Sequence, residues 1–161
     1  MTPRQCEIAA ESFSASILAQ AGYDVLVQYG ANQPQYDLVA VKGEKTLFVS
    51  VKGSQEGGWM LASRYVKEGV SYHDAIDIWL ASQGKKDLVF FLVQFQNVLI
   101  GQAPRVYIAR PPEIATQLKS HRLGKGHGAL QEDWQRNHPR SNYADKVPAP
   151  WLFSRERIDN I

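Results

Sequence analysis

The run Leu88-Val89-Phe90-Phe91-Leu92-Val93-Gln94-Phe95 constrains the fold more than any other segment, because seven of its eight residues are apolar. Side chains of a strand point alternately to its two faces, so a strand without polar alternation has to be buried on both. The run falls far short of the ~20 residues that span a bilayer. It reads as the central strand of a covered sheet, and Arg105–Ala109 reads as its neighbour.

The remaining elements assemble around that strand. Apolar positions Ile8, Ala9, Phe13, Ala15, Ile17 and Leu18 recur at helical spacing, and Gly22 stands at the stop, which predicts a helix over about residues 4–20. Val25–Tyr29 is a first strand, followed by turn chemistry from Gly30 to Gln35 with Asn32 and Pro34. Tyr36–Val41 and Thr46–Val51 are apolar runs joined by Lys42-Gly43-Glu44-Lys45, so they form an antiparallel hairpin. Gly53–Gly58 breaks the pattern, and a helical stretch follows within Trp59–Ser82. Pro111-Pro112-Glu113 starts a helix that runs to about Lys119. The predicted order is α-β-β-β-α-β-β-α, an α/β sandwich around a mixed sheet. Residues 1–161 are read as one domain, with 123–161 as a loop-rich C-terminal extension.

Composition bounds the function classes. Hydrophobic residues at 44% and charged residues at 21% are ordinary globular values. The start Met1-Thr2-Pro3-Arg4 leads into a polar segment with no apolar leader core, and the single Cys6 fits a reducing compartment, so the expectation is a cytoplasmic protein without a membrane partner. Cys6 reads as a small buried residue of the first helix. The net charge of +2 is uneven: residues 102–161 hold ten Lys/Arg against six Asp/Glu. That balance permits a polyanionic partner without demanding one.

The chemistry is concentrated in the hairpin. Asp37 opens its first strand and Ser50-Val51-Lys52 closes its second, so the turn brings these ends together. Alternation puts Ser50 and Lys52 on one face, while Val51 points the other way and leaves its carbonyl beside them. An acid, a hydroxyl, a carbonyl and an ammonium suit metal-assisted phosphodiester hydrolysis. Mg2+ or Mn2+ takes oxygen ligands and keeps several waters, which Asp37 and the Val51 carbonyl would supplement. Lys52 would orient the attacking water or stabilise charge on phosphorus.

Asp37 followed by Ser50-Val51-Lys52 at the end of an apolar strand resembles the PD-(D/E)XK nuclease hairpin, with most similarity to Holliday-junction-resolvase-like and homing-endonuclease-like members. In those relatives a first-helix glutamate precedes a Gly-aromatic pair. Here Glu11 precedes Gly22-Tyr23, with Glu7 as the alternative one turn earlier. The resemblance covers about residues 5–54. It implies a restriction-endonuclease-like α/β/α sandwich and a divalent-metal-dependent endonuclease acting on DNA, with Glu11 as a further metal ligand and a homodimer as the working form. The pattern departs at two places: Ser50 stands where the family carries its second acidic residue, and Tyr36 stands where a proline usually precedes the Asp. The alternative implied by Ser50 is an inactive nuclease-fold module that binds DNA or a protein.

Outside the hairpin, Arg64, Lys67, Lys119 and Arg122 are candidates for a nucleic-acid groove, and Lys125 in Gly124-Lys125-Gly126-His127-Gly128 for a phosphate contact. The four histidines fall at no metal-ligand spacing and are given no role. Trp151-Leu152-Phe153 reads as a C-terminal latch or dimer contact.

Overall fold

The computed structural model describes residues 1–28, 35–139 and 141–161. Helix α1 (Pro3–Gln20) starts on Thr2, whose hydroxyl accepts from the Gln5 amide while the Gln5 side chain accepts from the Thr2 amide, with Pro3 in the first turn. Strands β1 (Asp24–Val27), β2 (Leu38–Lys42) and β3 (Lys45–Ser54) follow. Tyr29, expected at the end of the first strand, and the turn at residues 30–34 lie outside the described residues.

Strand β3 is longer than the sequence suggests, because Gly53 continues it rather than ending it. A Cβ at Gly53 would lie 2.9 Å from the Cys6 carbonyl oxygen and 3.0 Å from both the Ala10 Cβ and the Cys6 Sγ. Glycine is there because the backbone of α1 rests on it.

β5 (Leu88–Gln94) and β6 (Arg105–Ala109) complete a five-stranded sheet in the order β1-β2-β3-β5-β6. The β3–β5 pair is parallel and the other pairs are antiparallel, so the sheet is mixed. All seven β5 residues are buried, the six apolar ones as the run from Leu88 to Val93 requires and the polar Gln94 with them. Short β4 (Gly58–Trp59) and helix α2 (Tyr72–Ala81) come between β3 and β5; α3 (Pro111–Gly124) follows β6. Regular helix in α3 stops at His121, where the backbone becomes extended, in line with the expected end near Lys119.

The described chain divides into two compact units. The first comprises Met1–Glu56, Lys85–Arg110 and Pro150–Ile161. Its core joins Ala10 and Leu18 of α1 to Leu38, Ala40, Leu47, Val49, Val51, Val89, Phe91, Val93, Val106 and Ile108 of the sheet. Odd-numbered β3 residues therefore face α1, and Ser50 and Lys52 face away from it. The end of the chain latches onto this core. The Phe153 amide donates to the Val106 carbonyl (2.7 Å), its ring meets Phe91 edge-on, and Ile158 of α4 (Arg155–Asn160) is fully buried.

The second unit comprises Gly57–Gly84 and Pro111–Ala149. It holds α2, α3, the β4–β7 pair (β7, Leu130–Gln131) and a hairpin of β8 (Asp133–His138) and β9 (Ser141–Lys146). Residues 123–161 thus carry three strands and a helix where the sequence suggests loops. Among the described residues, no helix is long and apolar enough to cross a membrane.

Candidate functional site

Asp37 ends the irregular approach to β2, and its three polar groups are all engaged. Its amide donates to the Val49 carbonyl (2.8 Å), its carbonyl accepts from the Gln28 amide (3.0 Å), and carboxylate Oδ2 accepts from the Val51 amide at 2.6 Å. The β2–β3 ladder ends at Leu38 opposite Val49, and the Asp37 side chain takes over as partner to the strand beyond it. Amide and carbonyl of one strand residue leave on the same edge, so the Val51 carbonyl is turned to the Asp37 side of β3. A short bond to a charged acceptor fixes the carboxylate against the strand, with its second oxygen not held by that bond.

Glu11 is partly buried on α1. Its carboxyl is held above the usual carboxylate range, first by burial and then by the negative charges of Asp37 and Glu7; Arg4 and Lys52 oppose the shift. The helix carboxylate therefore feels both the acid at the start of β2 and the lysine near the end of β3. Glu7 is exposed and its Oε2 pairs with the Arg4 guanidinium at 2.8 Å, so of the two helix glutamates it is Glu11 that stands in this group.

Lys52 is exposed, whereas Ser50, two residues earlier on the same face, is 3% exposed. Extending the Leu38–Val49 register by one residue sets Ser50 opposite Asp37. Lys85 covers the next part of that face, with its ammonium 3.8 Å from the Phe48 ring centroid and 4.7 Å from that of Tyr36. The proline expected before the Asp is thus replaced by an aromatic that stacks on β3.

The donor set of Glu11, Asp37 and the Val51 carbonyl is all oxygen, which fits Mg2+ or Mn2+ and not a soft metal. Among the described residues no group of three or more His, Cys, Asp or Glu converges. If Glu11, Asp37 and the Val51 carbonyl held such a metal, water and phosphate oxygens would have to supply the remaining ligands.

The basic candidates Arg64, Lys67, Lys119, Arg122 and Lys125 all belong to the second unit. The Arg64 guanidinium lies on the Tyr65 ring and donates to its hydroxyl at 2.7 Å, and Lys119 is tied to Asp77 at 2.5 Å, linking α3 to α2. Lys67 and Lys125 are exposed. Sequence reasoning missed a pocket in this unit lined by Arg122, His127, Gln131, Trp134, Tyr143 and Asp145. Behind it lies His121, 1% exposed, with neither ring nitrogen hydrogen-bonded among the described residues and Nδ1 3.4 Å from Asp145 Oδ1. Burial lowers the His121 pKa, against the pull of Asp145. No protein-family model matches the chain, and no curated protein matches it.

Proposed function

We propose that the protein is a divalent-metal-dependent endonuclease that hydrolyses DNA phosphodiester bonds. The observation that carries the reading is the bond from the Val51 amide to the Asp37 carboxylate, which sets that acid on the edge of β3 to which the Val51 carbonyl is turned, supported by the charges of Asp37 and Lys52 acting on Glu11. Further support comes from the order along the chain of α1, three strands, α2, β5, β6 and α3 and from the mixed sheet of the first unit, which suit a restriction-endonuclease-like α/β/α sandwich.

In this reading Glu11, Asp37 and the Val51 carbonyl hold Mg2+ or Mn2+. The bound metal supplies a polarised water and a counter-charge for the phosphate. Asp37 keeps a constant position because the Val51 amide clamps it. Lys52 stabilises negative charge developing on the phosphoryl oxygens and lowers the repulsion between the two acids. Burial of Ser50 favours a second reading, in which the module binds DNA or a protein without cutting, because a 3% exposed serine gives neither charge nor an open ligand position. The proposed working form is a homodimer in the cytoplasm, and Lys67 and Lys125 are the exposed cations offered to backbone phosphate.

The test is a nicking assay of the wild-type protein on supercoiled plasmid, forked and four-way-junction DNA with Mg2+, Mn2+ or EDTA. Cleavage with either metal and none in EDTA is the expected result. Binding without cleavage on every substrate selects the inactive module, and cleavage in EDTA removes the site as its source.

A further inference from the structure

We infer that the pocket of the second unit binds an unpaired nucleotide, stacking the base on Trp134 and receiving its phosphate at Arg122. The inference rests on the nuclease reading in one respect: it names nucleic acid with an unpaired base as the substrate class.

The pocket begins where α3 ends. Arg122, Leu123 and Gly124 follow one another in the left-handed region at φ 57°, 60° and 81°. Two of these are not glycine, and each such residue costs about 1–2 kcal/mol, so the turn persists only because its surroundings hold it. Asp145, 5% exposed, does so by accepting the Arg122 amide at 2.9 Å. The turn sends the Arg122 guanidinium over the Tyr72 ring, 5.4 Å from its centroid, and that ring also meets His127. The His127 Nδ1 contacts the Ala129 carbonyl at 3.0 Å. A carbonyl only accepts, so Nδ1 carries the proton and Nε2 is the second, differently disposed nitrogen of the ring.

The opposite wall is the β8–β9 hairpin. Trp134 pairs with Asp145 and Arg136 with Tyr143, so the two aromatic rings are diagonal neighbours on one face. All six β8 residues are exposed, and Trp134 is 52% exposed, while Trp59, Trp79 and Trp151 are each 6% exposed or less. An indole left in water on a polar hairpin, at the mouth of a pocket of about 320 Å3, is a platform for a planar group. A stacking ring, a guanidinium, an imidazole and the Gln131 amide match a base with its phosphate.

The test is fluorescence anisotropy of a labelled ten-nucleotide oligo-dT in EDTA, which excludes cleavage, beside an abasic strand of the same length and a duplex. The wild type should bind oligo-dT at least ten-fold more tightly than the abasic strand or the duplex. Trp134→Ala should abolish that preference, since loss of one base stack weakens binding about ten-fold or more. Trp134→Phe should restore much of it, and Arg122→Ala should weaken oligo-dT and abasic strands alike. Circular dichroism checks that each variant is folded, and quenching of the exposed Trp134 by unlabelled oligo-dT gives a readout in the wild type alone. Equal affinity for oligo-dT and the abasic strand, or a full preference in Trp134→Ala, overturns the inference. Base-dependent binding without metal-dependent cleavage would sink only the nuclease reading, and cleavage without base-dependent binding would sink only this one.

Discussion

Replacing Gly53 by alanine tests how the packing of α1 against β3 sets the position of Glu11. The added Cβ would sit 2.9 Å from the Cys6 carbonyl oxygen and 3.0 Å from the Ala10 Cβ, so the obstacle is helix backbone that no rotamer change removes. Overpacking of this kind costs about 1–3 kcal/mol, partly offset by the ~0.5–1 kcal/mol that a strand glycine forfeits relative to alanine. A net loss of about 1–2 kcal/mol lowers Tm by roughly 2–8 °C in a chain of this size. Relief comes by lifting α1 a few tenths of an ångström, and Glu11 follows Ala10 immediately on that helix. A ligand displaced on that scale should slow metal-dependent nicking by about ten-fold. Gly84→Ala is the control, with nothing within 4 Å of the added Cβ and no positive φ to strain. Thermal unfolding followed by circular dichroism and a plasmid-nicking time course measure both quantities. If Gly53→Ala melts with the wild type and cuts at its rate, α1 does not set the Glu11 position through this contact.

Three further outcomes follow from the same geometry. Ser50→Glu should tighten Mn2+ binding in calorimetry and lower stability in EDTA, because its carboxylate enters a site 3% exposed, whereas Ser50→Ala should change cleavage only modestly; unaltered metal affinity in a folded Ser50→Glu protein would place residue 50 away from the metal. Glu11→Gln should abolish cleavage yet raise Tm in EDTA, since it removes a charge disfavoured first by burial and then by Asp37; a lower Tm would mean that the charge is compensated. Burial holds the folded His121 pKa below its unfolded value near 6.5, so its contribution to stability is intact above that pH and is lost as pH falls below it. Urea unfolding at pH 7 and pH 5 should show this acid sensitivity, diminished in His121→Gln, and an equal pH effect in that variant would assign it elsewhere.

Much of the first unit is legible in the sequence because burial leaves a pattern there. The run at Leu88 and the two strands flanking Lys42-Gly43-Glu44-Lys45 follow from apolar spacing and turn chemistry, and the structure pairs them as expected. Gly53 is misleading, since glycine weakens an isolated strand but here serves a neighbouring helix. The β8–β9 hairpin is illegible for the opposite reason. Asp133–His138 is exposed throughout, so no alternation marks it and only its cross-strand partners define it. Asp37 and Lys52 stand out by position at strand ends, whereas choosing Glu11 over Glu7 needs the three-dimensional electrostatics. The Arg122 pocket depends on non-glycine residues in left-handed conformation, which no residue type announces.

The most direct test of the composite site is a plasmid-nicking time course for wild type, Asp37→Asn and Lys52→Ala with Mg2+ and with EDTA. Asparagine is chosen because its side-chain oxygen still accepts the Val51 amide, whereas alanine would forfeit about 1.5–3 kcal/mol of charged hydrogen bonding. The wild type should nick only with metal, and both variants should lose that activity while keeping the wild-type far-ultraviolet spectrum. Full metal-dependent nicking by either folded variant would contradict a site built on Asp37 and Lys52.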